Sequence, residues 1–120
     1  MGKRNQVLGQ WGEEQAAQFL EAQGYQILQR NYRTAYGEID LIASKAASLV
    51  FVEVKARSSD QFGFPEEAVG PKKQQHLIES AQAYLQVHPD FEGDWRIDVV
   101  AVTRGTDREP NIHHIENAVS

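Results

Sequence analysis

The sequence predicts an α/β fold in which a central mixed β-sheet is flanked by helices. Short runs rich in Ile, Leu, Val and Phe, which are typical of buried strands, occur at residues 38–43, 49–57 and 95–102. Two longer stretches, at 5–23 and 71–87, carry apolar residues at helical spacing. A sheet that lies between helices buries the apolar faces of both kinds of element.

The first half of the chain predicts a helix and then three strands. The helix is expected over residues 5–23 and ends at Gly24, because glycine readily adopts the left-handed conformation that closes a helix. The three strands follow at residues 25–33, 38–43 and 49–57, joined by a turn at 34–37 and a hairpin connection at 44–48.

The second half predicts one helix and two further strands. A long polar loop at 58–70 leads to Pro71, which fits the first position of a helix that runs to residue 87. A helical crossover separates parallel strands, so the strand at 95–102 is expected to run parallel to the strand before the helix. Residues 112–115 are expected to add a short edge strand.

Composition excludes several classes of protein. A length of 120 residues predicts one domain over residues 1–120, with a core large enough to need no cross-links. The absence of cysteine excludes disulfides, thiolate nucleophiles and Cys-ligated zinc. No signal peptide and no run approaching the ~20 apolar residues of a membrane helix is present, so we expect a soluble cytoplasmic protein that does not contact membranes. P-loop and serine-hydrolase motifs are also absent.

Charge gives a mixed indication about nucleic acid. The net charge of −5 argues against a general nucleic-acid coat, because neutralisation of phosphates normally dominates affinity. A solvated surface is the simpler interpretation of any single basic pair. The basic residues nevertheless cluster, at Lys3–Arg4, Arg30 and Arg33, Lys55 and Arg57, and Lys72–Lys73.

Asp40, Glu53 and Lys55 are the strongest candidates for a functional site. Each lies in an apolar strand, and buried charges are usually paired or bind a metal. Alternation places Glu53 and Lys55 on one face of their strand, together with Leu49 and Phe51. Two hard oxygen donors side by side suit Mg²⁺ or Mn²⁺. The alternative interpretation is an internal salt-bridge cluster between the lysine and either acid.

The preceding strand determines whether the two acids meet. If the two strands pair antiparallel, Asp40 and Glu53 lie close together at one end of the hairpin. Carboxylates brought together repel one another, so at least one should have a raised pKa without metal. Alternation assigns Glu38, Asp40 and Ile42 to one face of this strand, and Ile39, Leu41 and Ala43 to the other.

Each helix places one charged residue on its apolar stripe. Glu13 has Ala16, Ala17 and Leu20 as helical neighbours, and it requires either a basic partner on a strand or a place at the metal site. Lys73 precedes Leu77 on the second helix, and its ammonium can extend past the apolar stripe to a phosphate or an acid. A surface lysine whose stem covers apolar surface is an equal alternative.

Two further groups near the C-terminal end suggest structural roles. Arg96 and Asp98 are two residues apart on one strand, and we expect an internal ion pair between them. His113 and His114 are adjacent, so on a strand they point to opposite faces and cannot easily chelate one ion together.

The motif Asp40-(x)12-Glu53-Val54-Lys55 resembles the PD-(D/E)xK motif of restriction-endonuclease-like nucleases. The wider sequence is similar to the YraN family, small uncharacterised bacterial proteins related to archaeal Holliday-junction resolvases. The segments that carry this resemblance are 12–17, 24–28, 30–33, 37–42, 50–57 and 96–100.

The resemblance implies a restriction-endonuclease-like fold and a Mg²⁺- or Mn²⁺-dependent endonuclease that acts on DNA, with branched DNA among its substrates. Asp40, Glu53 and the Val54 carbonyl are then expected to hold the metal and Lys55 to orient a water, with Glu13 completing the shell directly or through water. Expected phosphate contacts are Arg57, Lys73, Arg30 and Arg33.

The resemblance to resolvases also implies a homodimer, because symmetric cutting of two strands requires two sites. Two readings of other classes remain open, because fold and motif do not settle function. One is a catalytically silent nucleic-acid-binding or assembly module that retains the nuclease fold, and the other is a protein-interaction adaptor.

Overall fold

The computed structural model describes the backbone of residues 3–58, 69–105 and 109–119, and side chains from residue 6 onward. Two helices and five strands occur in the order α1 Lys3–Ala22, β1 Gln26–Thr34, β2 Gly37–Lys45, β3 Ser48–Ser58, α2 Pro71–Gln86, β4 Trp95–Arg104 and β5 Asn111–Val119. Most of the predicted polar loop, residues 59–68, lies outside the described residues.

The five strands form one mixed sheet in the order β1-β2-β3-β4-β5. β3 and β4 are parallel, as the helical crossover predicts, and the other neighbouring pairs are antiparallel. α1 and α2 pack on opposite faces of this sheet. The predicted α/β architecture, a restriction-endonuclease-like mixed sheet flanked by helices, is confirmed. None of the described helices has the length and hydropathy needed to cross a membrane.

The strands extend beyond their predicted ranges, most clearly at β5 and at the β2–β3 hairpin. β5 covers Asn111–Val119 and not only residues 112–115, because its ladder with β4 continues past the apolar residues to the pair of Ile97 and Val119. The β2–β3 hairpin closes through two residues, with Ala46 at a φ of 54°, where a longer connection at 44–48 was predicted. Both predictions used apolar runs, and ladder hydrogen bonds extend beyond such runs.

The core is divided between the two faces of the sheet. The cluster beneath α2 includes Ile42, Leu49, Phe51, Leu77 and Tyr84. The cluster beneath α1 includes Ala16, Leu20, Leu41, Val50 and Val52. This division confirms the predicted alternation along β3.

The predicted alternation along β2 is wrong at Ile39. This residue packs beneath α2 together with Ile42, although it was assigned to the face of Leu41 and Ala43. The β2–β3 register ends at the pair of Leu41 and Val52, and beyond it β2 pairs only with β1. Strict alternation requires a regular ladder, so it ends where β2 separates from β3.

Candidate active site

The separation of β2 from β3 creates a fork in the sheet, and Asp40 occupies it. One carboxylate oxygen of Asp40, Oδ2, accepts a hydrogen bond of 2.8 Å from the backbone N–H of Val54 on β3. The side chain of Asp40 therefore replaces the strand neighbour that β3 lacks here. Because the N–H and C=O of a strand residue lie on the same edge, the carbonyl of Val54 also faces this gap.

Glu53 lies next to Asp40 on β3 and is only 4% exposed. Its Oε2 atom is 3.4 Å from the Nζ of Lys55 and 3.4 Å from the Nζ of Lys73. Glu53 is also close enough to Asp40 for its negative charge to raise the pKa of Asp40. The two ammonium partners offset the cost of burying the Glu53 carboxyl group.

The environment of Asp40 raises its pKa from the usual 3.8 to about 8. Burial is the largest cause, and the negative charge of Glu53 adds to it. The hydrogen bond from Val54 opposes the increase, whereas the charge of Glu13 reinforces it. Asp40 therefore holds a proton near neutral pH, in agreement with the sequence-based expectation that one carboxyl group has a raised pKa.

A close approach of α1 to β3 places Glu13 near this pair. A Cβ atom at Gly12 would lie 2.6 Å from the Cβ of Ala56, closer than side chains can approach. Glycine at this position therefore allows the helix to come near the strand. Glu13, the next residue, is close enough to Asp40 to influence its pKa, and its Oε1 accepts a hydrogen bond of 2.9 Å from Asn31.

The donor set at the fork suits a hard divalent cation. Two carboxylates and one edge of the Val54 peptide converge there, and Mg²⁺ and Mn²⁺ prefer such oxygen ligands. A dication can also replace the proton on Asp40, because metal ligands bind in their deprotonated form. In the part of the chain that is described, no three acid or histidine side chains lie close enough together to hold an ion. Glu13 therefore stands outside the immediate carboxylate pair.

The four basic residues that were assigned to phosphate contacts occupy different environments. Lys73 lies at the carboxylate pair itself, on Glu53. Arg30 pairs with Glu14 at 2.9 Å, and both are about half exposed. Arg33 pairs with Glu38 at 3.3 Å and is 85% exposed. Arg57 is partly buried on β3, two residues beyond Lys55.

Asn31 belongs to this site, although the sequence analysis gave it no role. Its side-chain amide donates to Glu13 Oε1 at 2.9 Å and to Glu38 Oε1 at 3.2 Å. Its φ of 52° is in the left-handed region, which few residues other than glycine adopt within a strand. A single Asn between two basic residues, in Arg30-Asn31-Tyr32-Arg33, carried no signal of this geometry.

A second polar network lies beneath α1, around the fully buried Asp98. Arg96 Nε donates to Asp98 Oδ1 at 2.9 Å, which confirms the predicted internal ion pair. His114 Nε2 lies 2.8 Å from Asp98 Oδ2, and the backbone N–H of Asn117 donates to Oδ1. Burial alone would raise the pKa of Asp98, but these hydrogen bonds outweigh it and lower the pKa. The sequence analysis missed the participation of His114.

This network has a structural role. Arg96 also donates to the hydroxyl of Tyr25 at 2.7 Å, so the ion pair connects β4 with β5 and with the start of β1. The ring of His114 makes edge contacts with Phe19 and Tyr25. The network therefore fixes the packing of α1 on this face of the sheet.

Comparison with known proteins identifies the family. The model of the uncharacterised protein family UPF0102 matches residues 12–102. A UPF0102 protein of Syntrophomonas wolfei is 49% identical over 114 residues, which cover 95% of this chain and 98% of the relative. A UPF0102 protein of Chlorobium phaeobacteroides is 49% identical over 116 residues, which cover 92% of each chain. The chain therefore belongs to UPF0102, the YraN family that its motifs resemble.

Proposed function

We propose that this protein is a Mg²⁺- or Mn²⁺-dependent endonuclease that hydrolyses phosphodiester bonds in DNA, with branched DNA among its substrates. One observation carries the proposal: Asp40, which accepts a hydrogen bond from the Val54 amide, lies beside the buried Glu53 at the fork of the sheet, with two lysines on Glu53. A buried acid pair with a strongly raised pKa is typical of functional sites, because the fold maintains it at a cost in stability.

The residues at the fork have separable roles in hydrolysis. A bound divalent cation would polarise the scissile phosphate and lower the pKa of water. Asp40, Glu53 and the carbonyl of Val54 would hold that cation. Lys55 is kept near the carboxylates by its contact with Glu53, and its ammonium would orient the attacking water and stabilise the charge that develops on the phosphate.

Lys73 and Glu13 would support this chemistry from the two helices. Lys73 makes the same contact with Glu53 as Lys55 does, so a second ammonium lies where a phosphate oxygen would bind. Glu13 would hold a water beside the carboxylate pair, or complete the metal shell through water. Glu38 would act indirectly, because Asn31 donates one hydrogen bond to Glu38 and another to Glu13.

The remaining basic residues would position the substrate. Arg30 and Arg33 form exposed ion pairs, which contribute little to stability and can exchange their acid partner for a phosphate. Arg57, which follows Lys55 on β3, would contact the backbone of the DNA strand. Such contacts orient the DNA backbone without reading its sequence. Because each strand of a branched substrate requires its own site, we also propose a homodimer.

A nuclease assay tests the proposal directly. Wild-type protein is incubated with a four-way junction, nicked duplex, linear duplex, single-stranded DNA and RNA, each with Mg²⁺, Mn²⁺ or EDTA. We expect metal-dependent cleavage of at least one DNA substrate, and no cleavage by Lys55→Ala or Asp40→Asn purified in parallel. Cleavage by Lys55→Ala at the wild-type rate would show that this motif is not the active site.

The alternative is a silent nucleic-acid-binding module that retains the nuclease fold. The observation that favours it is the pairing of Glu53 with two lysines within the chain, which satisfies a buried charge without any metal. This alternative predicts DNA binding that is unchanged by EDTA and no cleavage of any substrate in the panel.

A further inference from the structure

A cleft of about 570 Å³ lies beside the carboxylate pair, between α1 and the β1–β2 hairpin. Glu13 belongs to both places, because it lines the cleft and also influences the pKa of Asp40. The volume is within the range of small-molecule sites, roughly 300–1,000 Å³. The other residues of its lining include Gln6, Gly9, Gln10, Asn31, Arg33 and Glu38.

The lining of the cleft selects for a neutral ligand with hydrogen-bonding edges. Its side chains are amides, carboxylates and one guanidinium, so donors and acceptors are both present. Two carboxylates, Glu13 and Glu38, stand against the single positive charge of Arg33, which disfavours a phosphate inside the cleft. A nucleobase is neutral and planar, and its edges carry donors and acceptors.

Gly9 leaves partly exposed helix backbone, without a side chain, in the lining of this cleft. It lies in the interior of α1, where glycine weakens a helix. A Cβ atom there would meet nothing within 4 Å, in contrast to Gly12, where close packing requires glycine. Packing within the described chain therefore does not account for Gly9. Glycine is the residue that allows a ligand to approach the backbone closely.

Asn31 provides a fixed polar wall opposite the helix. Its left-handed backbone directs the amide to both Glu13 and Glu38. Backbone strain at a polar cleft is typical of functional sites. The hydrogen-bonding groups on this side of the cleft are thus oriented before any ligand binds.

We infer that this cleft binds an unpaired nucleobase of the strand that is cut, next to the scissile phosphate. The inference rests on the proposed nuclease function and specifies its substrate class, DNA with an unpaired nucleotide at the cleavage point. In a continuous duplex a base is stacked and its pairing edge is occupied, so it enters such a cleft only after it is flipped out.

The test measures binding without cleavage, in EDTA, with a fluorescent base analogue as the probe. Single-stranded DNA containing one 2-aminopurine is compared with the same strand in a full duplex. Gly9→Leu places an apolar side chain in the cleft from a position where the added Cβ meets nothing within 4 Å, and we expect it to weaken binding of the unpaired probe by at least 10-fold. Gln10→Leu, which removes one amide, is the second variant, with an expected loss of 3- to 10-fold.

The matched control is Gln18→Leu, which adds the same side chain to an exposed position on α1 outside this cleft. It should bind like wild type, and thermal melting should show that all three variants are folded. Wild-type affinity in both folded cleft variants, or equal binding of paired and unpaired probes by wild type, would overturn the inference.

Different experimental results would refute the nuclease proposal and the base-site inference. If binding of the unpaired base depends on Gly9 but no substrate is cleaved, the base site is supported and the nuclease proposal is refuted. If folded Gly9→Leu cleaves DNA with metal at the wild-type rate, the nuclease proposal is supported and the base site is refuted.

Discussion

Asp40→Asn should remove most of the pH dependence of stability between about pH 5 and pH 8 in the absence of metal. The pKa of Asp40 is about 8 in the folded protein, against a usual value of 3.8 in an unfolded chain. Between these values the folded state holds a proton that the unfolded state has lost. Stability is therefore highest below the unfolded pKa, falls as the pH rises, and levels off above the folded pKa.

The expected size follows from the same two values. Each unit of pKa shift corresponds to about 1.4 kcal/mol, so the complete shift of Asp40 costs roughly 6 kcal/mol at high pH. Between about pH 5 and pH 8, the part that is lost is about 3–4 kcal/mol. Asparagine retains an oxygen to accept the hydrogen bond from Val54 but does not ionise, so the variant should lack this decline.

The assay is urea denaturation in EDTA at the two pH values, on wild type, Asp40→Asn and Asp90→Asn. Asp90 is exposed near the end of α2, so its substitution controls for the loss of one acid. Wild type and Asp90→Asn should lose about 3–4 kcal/mol more than Asp40→Asn as the pH rises. Parallel pH profiles for wild type and Asp40→Asn would show that Asp40 is not a buried carboxyl with a raised pKa, and would refute the geometry of the fork.

Three other substitutions probe the rest of the molecule. Gly12→Ala should destabilise the protein by about 1–3 kcal/mol, because its Cβ would lie 2.6 Å from that of Ala56; an unchanged melting temperature would contradict the close helix–strand approach. Asp98→Ala should cost about 3–5 kcal/mol, because Arg96, His114 and the Asn117 amide would lose the buried acceptor that they share, and denaturant unfolding measures this loss. Arg57→Ala should weaken DNA binding for all sequences and reduce its salt dependence, measured by titration at several salt concentrations; equal salt slopes would exclude a phosphate contact.

The sequence predicted the sheet and the identity of the central acids because both depend on local patterns. Apolar runs located β2, β3 and β4, and a charged residue within such a run stands out. The position of Asp40 in a fork was not predictable, because it depends on where two strands separate and not on either strand alone. The contact of Lys73 with Glu53 joins residues distant in the chain, so the stripe on α2 could indicate only that this lysine needs a partner.

Asn31 and His114 show the same limit. Their roles arise from a left-handed backbone and from packing between β4 and β5, and neither leaves a periodic signal in the sequence. The predicted sheet face of Ile39 was wrong for a related reason. The alternation of side chains was extended beyond Leu41, where the β2–β3 ladder ends.

The hydrogen bond between Asp40 and Val54 gives the backbone of β3 a direct connection to the chemistry of the site. In a regular sheet this amide would face a neighbouring peptide, whose charge never changes. Here its partner gains and loses a proton, so the amide resonance of Val54 in an NMR spectrum should follow the ionisation of Asp40. One backbone nucleus thereby reports the occupancy of the fork, by proton or by cation, without any substrate.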